Sequence, residues 1–153
     1  MKKVTLLIIF LTISLISFSQ EQPANALGIR IGGGFGFDWE VSYQRYLSDQ
    51  IRMENGLGMD VGSGRKGFTT TTTIQWVWDI NSGLKWFTGP GLQLGSRENM
   101  FYFGLTGQVG IEYLFREIPI QIGIDTRPVI GIENANNAFE ININASIRYL
   151  FGK

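Results

Sequence analysis

Four charged residues in the second half of the chain have types and spacing that could support acid–base chemistry. Asp125 and Arg127 lie two apart on one segment, and Glu112 and Glu140 lie on the neighbouring segments. A pair of carboxyl groups on facing elements is what glycoside hydrolysis uses. The chain contains no histidine and no cysteine, which removes Ser-His dyads, thiol nucleophiles and the usual zinc sites. We interpret the charges as structural ion pairs, and predict no catalytic, cofactor or metal site.

A second candidate motif, Gly-Ser-Gly-Arg-Lys-Gly at 62–67, has the GxGxxG spacing of a dinucleotide-binding loop. That loop binds phosphates only between a strand and a helix, and strand-like sequence flanks this segment on both sides. We therefore interpret it as a turn-forming loop. Its Arg65 and Lys66 suggest one hypothesis, a contact with lipopolysaccharide phosphates.

The first residues have the pattern of a secretory signal peptide. Lys2 and Lys3 precede an apolar run at 4–18, and small residues at 17 and 19 place a cleavage point before Gln20. A transmembrane anchor is the weaker alternative, because polar residues interrupt a run shorter than the ~20 residues a spanning helix needs. We expect a signal peptide at 1–19 and one domain at 20–153. Since cleavage removes two lysines from a chain with equal numbers of basic and acidic residues, the net charge becomes about −2, which does not favour a nucleic-acid partner.

The rest of the chain alternates between apolar and polar residues, which is the period of a β-strand. Clusters of Gly, Asn, Ser and Asp divide it into eight segments: 26–33, 38–47, 51–62, 69–80, 84–95, 100–114, 118–129 and 138–151. Short turns at 48–50, 81–83 and 115–117 alternate with longer or glycine-richer links near 34–37, 63–68, 96–99 and 130–137, as in transmembrane barrels. Pro90 predicts a bulge or a local break. The pattern predicts an all-β fold, an eight-stranded antiparallel up-and-down transmembrane β-barrel whose last strand pairs with its first.

Volume and charge indicate which face of this barrel points outward. One face carries about thirty large apolar side chains, including all four tryptophans, whereas an eight-stranded barrel packs about a dozen side chains inside. Only Arg45 among the strand charges falls on that face, beside a turn, where it can snorkel to lipid headgroups. Because a charge facing mid-bilayer lipid costs ~2 to 4 kcal/mol, the apolar face is predicted to face lipid. A soluble barrel with an apolar interior alternates equally well and stays open as a second interpretation.

The opposite face is rich in glycine and carries twelve charges of both signs. Asp60 and Asp79 are two of them. The other ten are predicted to pair inside the lumen and to block ion flow: Arg30, Glu40, Arg52, Glu54, Lys85, Glu112, Asp125, Arg127, Glu140 and Arg148.

Three stretches carry a resemblance to known proteins: Gly-Ile-Glu-Tyr-Leu-Phe at 110–115, Leu-Lys-Trp-Phe-Thr-Gly-Pro-Gly at 84–91, and Ile-Arg-Tyr-Leu-Phe at 147–151. With the signal peptide, they resemble the small outer-membrane β-barrel proteins of Gram-negative bacteria, in the OmpA/OmpX-like class. The resemblance implies that the barrel-assembly machinery reads Tyr149 and Phe151 in the terminal strand, although two residues follow the last aromatic here. Barrel enzymes that modify lipids rely on a histidine, so the resemblance does not extend to them.

We therefore expect a non-enzymatic, monomeric protein of the outer membrane with a charge-plugged lumen and a structural or surface-interaction role. Its expected partners are membrane lipid, lipopolysaccharide and the barrel-assembly machinery, and it needs no cofactor. The alternatives are a periplasmic, lipocalin-like barrel that binds a small apolar ligand, a narrow porin-like pore, and an unrecognised lipid-active enzyme.

Overall fold

The computed structural model of the chain describes residues 24–33, 38–60, 67–97, 100–133 and 136–152. The predicted signal peptide at 1–19, Arg65 and Lys66 lie outside these residues, as does the side chain of Asp60. Within the described ranges, no helix has the length and apolar character needed to cross a membrane.

The alternating segments form eight strands: β1 (Asn25–Gly33), β2 (Asp38–Tyr46), β3 (Ile51–Asp60), β4 (Gly67–Asn81), β5 (Leu84–Arg97), β6 (Met100–Leu114), β7 (Ile120–Glu133) and β8 (Asn136–Phe151). Each strand pairs in antiparallel fashion with the next one in the chain, and β8 returns to pair with β1. The closing ladder runs from Asn25 opposite Phe151 to Gly33 opposite Ile143. Closure leaves no unpaired sheet edge, which is the condition for a sheet to lie in hydrocarbon. The predicted fold class is confirmed.

The barrel has two rims. The turn rim is the end of the barrel formed by 47–50, 82–83 and 115–119, where β1 begins and β8 ends. The loop rim is the opposite end, where the strands lead into 34–37, 61–66, 98–99 and 134–135. The predicted difference in link length is wrong, because β5 and β6, like β7 and β8, are separated by only two residues at the loop rim. Glycine- and asparagine-rich segments that look like loops extend the strands once a neighbouring strand offers its backbone hydrogen bonds.

The two prolines inside strands interrupt a ladder without shifting its register. Between β4 and β5, the partners continue from Thr73 opposite Gly91 to Trp76 opposite Thr88, and the pairs beside Pro90 are missing. The expected break at Pro90 is therefore present, but no residue is inserted there. The only register shift in this ladder lies between 79 and 81, beside the turn at 82–83 where Gly83 adopts a φ of 95°.

A buried hydroxyl donates to carbonyl oxygens at the ladder break beside the second strand proline. Between β6 and β7, the pairs beside Pro128 are missing, since proline has no N–H to donate. The Oγ1 of Thr106 donates instead, at 2.8 Å from the carbonyl oxygen of Pro128 and 3.0 Å from that of Gly107. This contact keeps polar backbone atoms satisfied in the wall.

Side-chain direction follows the predicted alternation. Large apolar residues such as Ile29, Leu57, Leu105 and Ile143 are exposed on the outside of the closed sheet. Among the described residues, the buried apolar side chains are Ala26, Val77, Phe87, Val129 and Leu150, far outnumbered by buried polar and charged ones. The interior is therefore polar, and the interpretation of a soluble barrel around an apolar ligand cavity is wrong.

Candidate functional site: the charged interior of the barrel

Nine of the ten charged residues predicted for the lumen lie inside the barrel or at its turn-rim mouth. Eight of them, all except Glu40, are buried, and the side chain of Glu40 is 13 % exposed. We call these nine residues the lumen network: Arg30, Glu40, Arg52, Glu54, Lys85, Glu112, Asp125, Arg127 and Arg148. The tenth, Glu140, is exposed near the loop rim. A strand directs every second side chain to the same face, so the strand period alone delivers these groups to the bore.

The Glu54 carboxylate is the most connected acceptor of the lumen network. Its Oε1 accepts from the Ser42 hydroxyl at 3.0 Å and from Arg148 Nη2 at 3.1 Å. Its Oε2 accepts from the side-chain amides of Gln44 and Gln75, both at 2.8 Å. Four donors on two oxygens account for the hydrogen-bonding capacity expected of a fully buried carboxylate.

Arg52 and Glu112 form a two-bond ion pair across the bore. Arg52 Nη1 and Nη2 donate to the two carboxylate oxygens of Glu112 at 2.6 and 2.7 Å, and both side chains are fully buried. The guanidinium also donates to Gln75 Oε1 at 2.6 Å and lies 4.8 Å from the ring centre of Phe87. Because β3 and β6 are not neighbours in the sheet, this pair connects opposite parts of the wall.

A second group of ion pairs joins β1, β2 and β7. Arg30 donates through Nε to Asp125 Oδ2 at 3.0 Å and through Nη2 to Asp125 Oδ1, and its Nη1 lies 3.1 Å from Glu40. Arg127 Nη1 donates to Glu40 at 2.9 Å, and its Nη2 lies 3.6 Å from Glu54, too far for a hydrogen bond. These contacts connect the two groups into one network.

The last cation lies near the turn rim. Lys85 is 7 % exposed, and its Nζ lies 3.3 Å from Asp79 and 5.7 Å from the ring centre of Tyr46. The Asp79 side chain is 70 % exposed, so this pair lies where the interior opens to water. Each of the five cations of the network therefore has at least one carboxylate partner.

Two of the three carboxylates considered for acid–base work are each bound by an arginine instead of standing as a free pair. Glu112 is bound by Arg52, Asp125 is bound by Arg30, and Glu140 lies near the loop rim. The described residues also contain no group of three or more acidic, histidine or cysteine side chains that could hold a metal ion.

The neutral members of the interior were not predicted from the sequence. Gln44, Gln75, Gln108 and Gln121 are all buried. Gln44 and Gln121 connect Glu54 to Glu112 through their amides, and Gln75 donates to Glu54 and to the side-chain oxygen of Gln108. Their position in the alternation identifies them, because each glutamine falls on the same face of its strand as the charged residues. A buried glutamine offers both a donor and an acceptor, which a carboxylate cannot.

Glycines make room for this network at two places where the backbone or a charge approaches closely. A Cβ on Gly56 would lie 2.3 Å from the carboxylate carbon of Glu40. A Cβ on Gly89 would lie 1.8 Å from the carbonyl oxygen of Ile74 in the neighbouring strand. The glycine-rich face is therefore needed for the fit of the interior.

The barrel is similar in fold to solved structures of outer-membrane proteins. The N-terminal β-barrel domain of Pseudomonas aeruginosa OprF aligns over 86 % of this chain and all of that domain, with a TM-score of 0.73 and 16 % identity. Neisserial surface protein A aligns over 83 % of this chain and 94 % of its own, with a TM-score of 0.64 and 16 % identity. This chain has the fold of a small outer-membrane β-barrel. A designed transmembrane β-barrel aligns over 86 % of the chain with a TM-score of 0.60 and 12 % identity, so the barrel fold accepts very different sequences.

No family model matches the chain, and a search of curated proteins finds no match in sequence. At these identities the likeness establishes the fold, and what the barrel does must be argued from its own residues.

Proposed function

We propose that this protein is a non-enzymatic integral protein of a Gram-negative outer membrane, with a lumen closed to ions and a structural or surface-interaction role. The observation that carries the proposal is that ion pairs cross the bore while the exterior is apolar. Arg52 reaches from β3 to Glu112 on β6, and Arg148 reaches from β8 to Glu54 on β3. An ion would have to break such pairs to pass.

The energetics favour lipid outside and charge inside. A cation or carboxylate turned toward mid-bilayer lipid costs ~2 to 4 kcal/mol, whereas a paired charge in the bore keeps hydrogen bonds and a counter-ion. Trp78 and Trp86 stack on the outer wall with ring centres 4.3 Å apart, near the turn at 82–83. Paired tryptophans near a rim fit a membrane–water interface. We propose that the turn rim, where β1 begins and β8 ends, is on the periplasmic side.

Membrane integration and closure are tested by separate measurements. The integrated barrel is expected to require detergent for extraction and to change its gel mobility on boiling. Release without detergent, or mobility that heating leaves unchanged, would contradict membrane integration.

Closure is tested by conductance in planar lipid bilayers. The native protein is expected to show no large steady conductance, whereas Arg52→Ala/Glu112→Ala should conduct, because it removes the ion pair that crosses the bore. Arg116→Ala/Glu117→Ala is the matched control, since it also removes one charge of each sign but from the exposed turn at 115–119. Steady conductance of the native barrel would favour the narrow pore instead.

Two partner proposals rest on the resemblance and on position. We propose that the assembly machinery reads Tyr149 and Phe151 on β8, and Tyr149 is 57 % exposed on the outer wall. Arg65 and Lys66, which lie outside the described residues, are proposed to contact lipopolysaccharide phosphates. Lipid A affinity that Arg65→Ala/Lys66→Ala leaves unchanged would remove the second proposal.

A further inference from the structure

The outer wall carries a polar patch across three neighbouring strands. Asn55 on β3 pairs with Tyr43 on β2 and with Thr72 on β4, and all three side chains point outward. Thr70, the next outward residue on β4, completes what we call the polar patch. Asn55 is at least four residues from either end of β3, or roughly 13 Å along the strand, so the patch lies within the wall and away from the rims.

The hydrogen bonds within the polar patch leave one strong donor group unused. Thr72 Oγ1 donates to Asn55 Oδ1 at 2.9 Å, and the Tyr43 hydroxyl donates to Asn25 at 2.8 Å. Among the residues that the structure describes, the Asn55 Nδ2 has no acceptor. Lipid tails offer no acceptor either, and a polar group left without a hydrogen bond in an apolar surrounding is unfavourable.

Among the described residues, the opposite side of the barrel has no comparable polar cluster. The outward residues of β7 and β8 include Ile122, Ile124, Ile143 and Ile147, all of them exposed and aliphatic, and the outward Thr126 pairs only with Val109 and Ile143. The wall is thus asymmetric, with one polar side and one aliphatic side. In contact with lipid alone, the polar side would lack hydrogen-bond partners for its outward groups.

We propose that two copies of this chain associate in the membrane through the polar patch, with each Asn55 amide donating to the Asn55 or threonine oxygens of the other copy. A side-chain amide is both donor and acceptor, so the patch is complementary to itself, as a two-fold interface requires. This inference rests on the proposed membrane location. It departs from the monomer expected from the sequence, because only the strand register brings these residues together.

Because the chain has no cysteine, single introduced cysteines report proximity without background. Leu57→Cys lies beside the polar patch and Ile143→Cys on the aliphatic side, and the native side chains are 64 % and 67 % exposed. Each variant is folded into phosphatidylcholine vesicles at a low protein-to-lipid ratio and treated with a short bismaleimide. We expect about tenfold more cross-linked dimer for Leu57→Cys, and a loss of about tenfold when Asn55→Leu is added to it.

Heat-modifiable mobility of every variant keeps the two proposals separate. A variant that loses the heat-dependent shift in mobility has failed to form the membrane barrel and says nothing about the dimer. If Asn55→Leu fails in this way, Thr72→Val, which removes the hydroxyl next to Asn55, takes its place and must also reduce cross-linking. Equal cross-linking at the two positions, none at either, or cross-linking insensitive to both substitutions would overturn the dimer.

Discussion

Glu54→Gln tests whether the lumen network stabilises the barrel through its charges. Glutamine has nearly the same shape as glutamate, so the substitution changes charge and hydrogen bonding without opening a cavity. Its NH2 group must replace one oxygen, where it meets either Ser42 and Arg148 or the amides of Gln44 and Gln75. Gln75 cannot simply reverse its amide, because its Oε1 already accepts from Arg52.

The magnitude follows from the burial of the cations that remain. Arg148 is 2 % exposed and loses its only carboxylate within hydrogen-bond distance among the described residues, and Arg127 loses the carboxylate 3.6 Å from its Nη2. Removing one partner of a buried ion pair costs about 3 to 5 kcal/mol. Since domains of ordinary stability have a free energy of unfolding of about 5 to 15 kcal/mol, the loss is large enough to measure easily.

The assay is equilibrium urea unfolding of protein folded into lipid vesicles, followed by the fluorescence of the four tryptophans. Glu117→Gln, the same chemical change on the exposed turn at 115–119, should alter the free energy of unfolding by no more than ~0.5 kcal/mol. Adding Arg148→Met to Glu54→Gln should recover part of the loss, with a coupling of about 0.5 to 3 kcal/mol. A Glu54→Gln barrel as stable as the Glu117→Gln barrel, or a double variant whose loss equals the sum of the single losses, would refute the reasoning.

Three further predictions concern the wall and its assembly. Thr106→Val should lower the free energy of unfolding by about 1 to 3 kcal/mol in the same urea assay, because it removes the hydroxyl donor at the proline break. Thr71→Val is the control and should be neutral or stabilising, because it removes a buried hydroxyl with no hydrogen-bond partner in the described structure. Gly89→Ala should prevent the heat-modifiable gel shift, since its Cβ would overlap a backbone oxygen, while Gly107→Ala, whose nearest contact is 3.7 Å, should fold; equal behaviour of the two would contradict this reasoning. Phe151→Ala should reduce the amount of barrel in the outer-membrane fraction in cells without affecting unassisted folding into vesicles, and an unchanged amount would remove the assembly signal.

Much of the fold could be predicted because each strand is an independent, local signal. The alternation places Val77 and Phe87 on the inner face with the charges although both are apolar, and the structure buries them there. The ends of the strands could not be predicted in the same way. Whether residues such as 130–133 and 136–137, which the sequence assigns to a link, are loop or strand depends on the backbone of the neighbouring strand, and not on their own types.

The candidate site was predictable in its members but not in its connections. The alternation along each strand assigned Arg52 and Glu112 to the interior. The sequence did not indicate that they form a pair, because they are 60 residues apart in the chain and lie on strands that are not neighbours. The mediating glutamines and the hydroxyl of Thr106 gave no signal beyond their position on a strand face, since neutral polar residues are common on any sheet.

The sequence by itself determined the closed sheet and which of its faces points outward. Both follow from properties of single residues, namely the alternation along a strand and the cost of a charge in lipid. The tertiary structure decided which charges meet, how far the hairpins extend and where outward polar residues of different strands gather. Those properties depend on register and on reach across the bore, which exist only once all eight strands have paired.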